Sequence, residues 1–524
     1  MKIGIDLDNT IISYDIAFQV AASNRGLINS GYKYTKQEIS EEIKNRENGE
    51  IEWQKLQGYV YGKGIKEASI FPGVYRFLWR CYKRGITVEI VSHKTKYGHF
   101  DAERYLLRQA AIKFLQENKI LQSDINLIDN ITFTDTQIDK LNYIADNNFD
   151  YFIDDLEDIV KSKQLTNVQT IFFNEKNGYL WDEINNSLLK NWTEKELLQV
   201  AKKMLPEKTV SLIERIEGRG NSEIVKIIAG NNTYISKIYP QSGEHNRLVA
   251  EYNSLKLLNE LSVPYLQTPV AYDDGLGIAI YNYIDGEKIY NYGNGNIKQM
   301  LSLLSVLNST QARNKFSNFN LASNACLSGL DIEVQIKNRL RSLEGATNTD
   351  IGLKLFIQDK FTPAFHKVLI WSKKNWPNSY TQKLSQSDRV LSPSDFGFHN
   401  AIRIESGKIF FHDFEYFGWD DPVKLIADVT HHAAFELSVE HERFWLDGCL
   451  DIYGKSILER YKAAWPLYGL SWCLIILNEY NESLWGRRTA ANRVLQHKKE
   501  HILLTQLDKA RKQLSKVLDR YETI

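Results

Sequence analysis

Ser392-Pro393-Ser394-Asp395-Phe396-Gly397-Phe398-His399-Asn400, and then Phe410-Phe411-His412-Asp413-Phe414-Glu415, decide how the larger part of this chain is read. Asp395 and Asn400 are five positions apart, and a short strand-like run leads to Asp413. One reading is plain. A polar loop joins two strands, Asp395 caps a turn and Asn400 satisfies backbone. The other reading is chemical. Asp395 accepts a hydroxyl proton, and Asn400 and Asp413 offer hard oxygens to a divalent cation. The sequence on either side chooses between them.

Upstream, Val210 to Ile216 reads as a strand, Glu217 to Ser222 as a glycine-containing turn, and Glu223 to Ile228 as a returning strand. Glycines let backbone approach phosphate oxygens, although a single Gly-x-Gly is more often a hairpin turn. Thr233 to Tyr239 is a third strand with Lys237 inside it. Arg247 to Leu261 has helical spacing with Glu251 near its start, and Ala279 to Gly286 is a strand ending in a turn. Strand, glycine loop, strand with Lys, helix with Glu, strand and then Asp395-Asn400-Asp413 is the order of parts in the kinase fold.

This half, residues 209–524, resembles the aminoglycoside phosphotransferase and choline kinase branch of that fold. The signs are Asp413-Phe414-Glu415, the downstream Gly418-Trp419-Asp420-Asp421-Pro422 with Asp428, and a long helix-rich C-terminal section. No activation segment ending in Ala-Pro-Glu is present. The resemblance implies an α+β protein-kinase-like domain, with a small lobe over about 209–286 and a helix-rich large lobe over about 287–524. It implies ATP as co-substrate, held by Gly218, Gly220, Asn221, Lys237, Glu251 and the backbone of Tyr281 to Tyr283. Asp395 becomes the catalytic base, and Asn400 and Asp413 the Mg2+ ligands. One position departs: the branch has His two residues before the catalytic Asp, and here that residue is Pro393. From His431 onward, Trp445, Leu446, Leu450, Ile452, Trp465, Leu467 and Trp472 are expected to supply core. Glu479, Glu482, Arg487 and Arg488 are candidates for an acceptor pocket, with a solvated helical face as the plainer reading. His497-Lys498-Lys499-Glu500-His501 matches an inverted zinc-protease pattern, but a charged helical surface explains it better.

The other end of the chain carries a separate pattern. Ile3-Gly4-Ile5-Asp6-Leu7-Asp8 is a buried-type strand with carboxylates at its C-terminal end, where open α/β sheets place ligands. In an extended segment Asp6 and Asp8 point the same way, and two close carboxylates need a cation or a shared proton. Gly85 to Ser92 is a strand ending in a hydroxyl. Lys140 precedes Phe149-Asp150-Tyr151-Phe152-Ile153-Asp154-Asp155, a further apolar run ending in acids, and Asp158 follows. Tyr14 to Ser69 is polar and helical in pattern, with Thr35, Ile39 and Ile43 spaced for one face.

Taken in order, Asp6-Leu7-Asp8-Asn9-Thr10, Ser92, Lys140 and Asp154-Asp155 with Asp158 resemble the four motifs of the haloacid dehalogenase superfamily of phosphohydrolases. The resemblance covers roughly the first 180 residues. It implies an α/β domain over 1–182, a doubly wound Rossmann-like parallel sheet with a small helical cap. Asp6 becomes the nucleophile and Asp8 the acid/base. Thr10, Ser92 and Lys140 hold phosphate oxygens. Asp154, with Asp155 or Asp158, binds Mg2+ together with Asp6 and Asp8. Residues 183–208 read as a helical connector ended by Pro206.

The chain has 524 residues, enough for two or three cores, and 43% hydrophobic content. Its 65 basic and 65 acidic side chains cancel, which argues against duplex DNA or an anionic membrane as a dominant partner. The four scattered cysteines have no metal spacing and read as reduced thiols. The N-terminus starts as a strand without a signal-peptide layout, so a cytoplasmic protein is expected. Together these readings predict a two-headed enzyme. One head is an ATP-dependent kinase for a hydroxyl on a small metabolite, such as a sugar, polyol or amino alcohol. The other is a Mg2+-dependent phosphomonoesterase. A sugar phosphorylated at one position and dephosphorylated at another, as for a surface polysaccharide precursor, would fit such a fusion. The alternative is an active phosphatase with a C-terminal pseudokinase that binds or regulates. A protein kinase is disfavoured by the missing activation segment.

Overall fold

The structure is a computed structural model that describes all residues except 30, 31, 33, 101–102, 123–124, 175–179, 217–221, 243–244, 483 and 487–497. The chain divides into two compact units, Met1–Leu197 and Leu198–Ile524. The division falls inside the helix Glu194–Met204. The sequence stretch read as one connector forms two helices, Trp181–Leu188 and Glu194–Met204. The first unit holds the second helix through ion pairs from Arg80 and Arg84 to Glu196, at 3.1 and 2.7 Å.

The first unit is built on a five-stranded parallel sheet. Lys2–Ile5 is central, flanked by Thr87–His93 on one side and Tyr151–Asp154 on the other. Asn130–Thr134 and Gln169–Phe172 form the edges. Ile3, Ile5, Val88, Ile90, Phe152 and Ile153 are fully buried, as strands covered on both faces require. Chain order reverses at Lys2–Ile5, so the crevice beyond the carboxyl ends of the strands opens there. Asp6 and Asp154 lie at those ends. Between the first two strands of the sheet, helices Asp15–Asn24, Lys36–Lys44 and Gly49–Tyr61 make a small cap. Ile39 and Ile43 are its buried face. Thr35 is not on that face: it caps Lys36–Lys44, accepting from the Glu38 amide in a capping box.

The second unit begins with a five-stranded antiparallel sheet. Its order is Pro269–Asp273, Ile278–Asn282, Asn232–Ile238, Glu223–Ala229 and Val210–Ile216. The helix Arg247–Glu260, N-capped by Asn246, accompanies it. Two small sheets follow: Glu287–Lys288 with Ala401–Arg403 and Ile409–Phe411, and Val390–Ser392 with Gly418–Asp420. The remainder is helical, with Trp445, Trp465, Leu467 and Tyr468 in one continuous apolar core. All four cysteines are buried and unpaired. Among the described residues no helix is long and apolar enough to cross a membrane.

Candidate active sites

In the second unit the antiparallel register puts Lys237 in mid-strand, opposite Ala279 and Ile224. A lysine among apolar residues normally faces water, but Lys237 is buried. Its ammonium lies 2.6 Å from Glu251 Oε2 and 2.7 Å from Asp413 Oδ1. Burial alone would lower its pKa, but Asp413 and Glu251 outweigh burial and raise it. Glu251 is fully buried and accepts further bonds from Tyr239 Oη at 2.6 Å and the Phe414 amide at 3.2 Å. Asp413 itself has a left-handed backbone, φ +68°, uncommon for a residue with a side chain and typical of constrained sites.

Asp395 and Asn400 sit beside this cluster. The strands after Asn400 and before Asp413 pair, Ala401 opposite Phe411, and the His412 amide donates to the Asn400 carbonyl at 3.1 Å. Asn400 Nδ2 donates to the Asp395 carbonyl at 2.9 Å and approaches its Oδ2 at 3.3 Å. Two imidazoles, His399 and His432, reach Asp395 Oδ1 at 3.2 and 3.0 Å. Burial would raise the Asp395 pKa; the bonds from His399 and His432 overcome it and hold the carboxyl well below its usual range. The two rings stack at 3.9 Å, and Phe435 stacks on both. Gly397 admits Phe435, since a Cβ there would lie 2.2 Å from its ring.

His432 has a defined tautomer. Its Nδ1 accepts the Ala434 amide at 3.1 Å, so Nε2 carries the proton given to Asp395. Asp395, His399 and His432 are close enough to surround a metal, but that tautomer leaves no lone pair on Nε2 to bind one. A second cluster, Glu251, Asp413 and Glu415, brings oxygens within 4.8 Å of one another and has the hard donors that Mg2+ takes. Glu415 is held by Arg247 at 3.2 Å, and burial followed by Asp413 pushes its pKa up to about 7.

Of the backbone expected to take the adenine edge, two amides are engaged within the sheet. Tyr281 is buried in the sheet with its hydroxyl 2.8 Å from that of Tyr239. The amides of Asn282 and Tyr283 already donate to Thr268 and Thr233 carbonyls, at 3.0 and 3.1 Å. Gly218, Gly220 and Asn221 lie outside the described residues, as do Arg487, Arg488 and His497.

In the first unit Lys140 reaches from the helix Gln137–Asp146 to the strand ends. Its ammonium is 2.5 Å from Asp6 Oδ1 and 2.7 Å from Asp154 Oδ2. Burial would lower its pKa; Asp6 and Asp154 reverse that. Asp6, Asp154 and Asp155 offer oxygens within 4.8 Å of each other. Burial first, with Lys140 opposing and Asp154 and Asp155 adding, raises the Asp6 pKa well above the usual carboxylate range. Burial and Asp154 take Asp155 to about 6. Carboxylates that resist ionisation this way are short of positive charge, and a divalent cation on hard oxygens supplies it. Ser92 Oγ is buried with no hydrogen-bond partner, as a group reserved for a ligand would be. Thr10 Oγ1 points to Asp155 at 3.5 Å.

Two expected metal ligands are elsewhere. Asp158 is exposed on the short helix Glu157–Val160 and outside the carboxylate cluster, because the chain turns away after Asp155. Asp8 has both side-chain oxygens on Lys94, at 2.8 and 2.6 Å, and accepts from Tyr14 Oη at 2.8 Å. Sequence reasoning missed Lys94, two residues after Ser92 on the same strand exit. It also missed Lys36, whose ammonium is 3.1 Å from Tyr61 Oη in the cap.

No protein-family model matches the chain, and no curated protein matches it. Among solved structures it is similar to spectinomycin phosphotransferase, APH(9)-Ia, in complex with ADP and spectinomycin. That likeness has 13% identity and a TM-score of 0.44, over 62% of this chain and 99% of the other. It is similar to choline kinase LicA from Streptococcus pneumoniae at 16% identity and a TM-score of 0.39, over 62% and 99%. It is similar to an ethanolamine kinase from Plasmodium vivax at 14% identity and a TM-score of 0.36, over 69% and 94%.

Proposed function

We propose that the chain is a bifunctional phosphate-transfer enzyme. The second unit phosphorylates a hydroxyl of a small metabolite with ATP, and the first hydrolyses a phosphomonoester. The observation that carries the kinase half is Lys237 held between Glu251 and Asp413, with Asp395 ionised beside them. In this reading Lys237, fixed by Glu251, orients the inner phosphates of the nucleotide. Asp395 accepts the proton of the acceptor hydroxyl as that oxygen bonds to the terminal phosphorus and the bond to ADP breaks. His399 and His432 keep Asp395 ionised and aimed. Asp413, with Asn400 or Glu415, would hold Mg2+, which would supply charge to neutralise the phosphates.

The hydrolase half is supported by Asp6, Asp154, Asp155 and Lys140 meeting at the carboxyl ends of the sheet. Asp6 attacks phosphorus as the bond to the leaving oxygen breaks, and the Asp8–Lys94 pair supplies that oxygen's proton. Water then attacks the phosphoryl–Asp6 bond, and that pair takes a proton back. Lys140, Ser92 and Thr10 hold the phosphoryl oxygens. Asp6, Asp154 and Asp155 would hold Mg2+, whose charge would offset repulsion between carboxylate and phosphate. The test has two arms on the full chain: Mg2+-dependent hydrolysis of p-nitrophenyl phosphate, and a thermal shift with MgATP. Both responses are expected. Hydrolysis without any ATP shift would leave the second unit a binding module of another kind.

A further inference from the structure

A groove of about 380 Å³ runs beside the His432 side of the catalytic loop, large enough for a small metabolite. One wall is the His431–Glu436 segment; the other is the C-terminal helix Lys499–Arg520. Lys509, Lys512 and Lys516 line it from one face of that helix, at the three- and four-residue spacing that stacks side chains together. Lys516 is occupied: its ammonium is 2.7 Å from Glu442 and 2.8 Å from the Thr430 carbonyl. Lys509 and Lys512 are exposed and have no acid partner among the described residues. Glu436 is the one acid on the groove wall.

The wall is fixed in place. Gln513 donates to His431 Nδ1 at 2.8 Å, and His431 Nε2 meets the Trp465 carbonyl at 3.0 Å. The next residue, His432, lines the groove and donates to Asp395. The Asp395 side chain is 35% exposed, and His432, which bonds to it, is itself part of the groove wall, so the groove lies one side chain from the base. Unpaired lysines gathered in a concave site raise each other's energy, and a multiply charged oxyanion relieves that.

We infer that the groove is the acceptor site of the kinase and that the acceptor already carries a phosphate monoester, bound by Lys509 and Lys512. This rests on the kinase reading above. It orders the two proposed reactions. Phosphorylation of such an acceptor gives a molecule with two phosphates. A phosphomonoesterase in the same chain then has a second position to clear, and the pair does not simply hydrolyse ATP.

Pyridoxal phosphate, an aldehyde bearing a phosphate, is the probe. The Asp6→Asn full chain is treated with it and reduced with borohydride, and labelled lysines are mapped by mass spectrometry. Lys509 or Lys512 is expected to label at least about fivefold above Lys499, exposed on the same helix. Inorganic phosphate should suppress this, and acetate at equal ionic strength should not. Equal labelling of Lys499, or equal protection by acetate, overturns the phosphate assignment. In parallel, ADP formation is followed with sugar and sugar-phosphate pairs. The phosphorylated member is expected to have the lower KM by tenfold or more. Lys509→Glu with Lys512→Glu should abolish that advantage while the KM for ATP stays within about twofold. An advantage that survives the double variant overturns the groove. Absence of an ATP shift with labelling intact overturns the kinase reading and leaves an anion site.

Discussion

Each unit buries a lysine between two carboxylates, but the surroundings are charged differently. Lys140 lies between Asp6 and Asp154 with Asp155 close by, and both Asp6 and Asp155 are pushed toward their protonated forms. Lys237 lies between Glu251 and Asp413, and there Asp413 and Asp395 are held in their ionised forms by Lys237 and by two imidazoles, while burial pushes only the flanking Glu251 and Glu415 upward. The parallel sheet gathers acids at its strand ends, and a single ammonium, that of Lys140, bridges Asp6 and Asp154. The site in the second unit distributes acids over three elements and pairs most of them in advance. The first cluster should therefore depend on a divalent ion for its stability, and the second chiefly for nucleotide binding.

The largest expected effect is on the nucleophile. Asp6→Asn should lower p-nitrophenyl phosphate hydrolysis by about a thousandfold or more, as losses of catalytic nucleophiles do. Next, Asp395→Asn should cut ATP-dependent phosphorylation by about 10² to 10⁴, the usual share of a positioned base, with ATP binding kept. Third, Lys140→Met removes the ammonium that contacts both Asp6 and Asp154. Urea unfolding should show a loss of about 3–5 kcal/mol without Mg2+, since breaking one partner of a buried pair strands the other. A loss of similar size for Lys237→Met with Mg2+ absent would blur the contrast between the sites.

The smallest effect concerns pH. Asp155 has a folded-state pKa of about 6, above its ordinary 3.8. The native state binds that proton more tightly, so the group's penalty on stability grows as pH rises from about 4 through 6 and is complete above. A bound cation removes the penalty. The melting-temperature gain from Mg2+ should be greater at pH 7 than at pH 5, by a few degrees, in calorimetry of the Asp413→Asn protein. An equal gain at both values would mean that Asp155 is not a ligand.

Much of this was legible in the chain, because local spacing encodes it. Asp395 to Asn400 is a single loop, and Lys237 and Glu251 are fixed by strand and helix periods. What the spacing could not give came from distant elements. His432 reaches Asp395 from the end of the helix Pro422–His431, and no local pattern joins positions 37 apart. Lys94 had a weak signal in its alternation with Ser92, two residues along one strand exit. Asp158 failed because a helical turn after Asp155 rotates it outward, although it is near in sequence. Tyr281 belonged to the expected strand, yet its side chain faces Tyr239 and the core.

The most direct measurement crosses two variants in the full chain. Hydrolysis of p-nitrophenyl phosphate and MgATP binding are read for wild type, Asp6→Asn and Asp413→Asn. Asp6→Asn should abolish hydrolysis and keep the ATP response; Asp413→Asn should do the reverse. If one substitution removes both responses, or neither response exists in the wild type, two separate phosphate sites cannot be what these residues build.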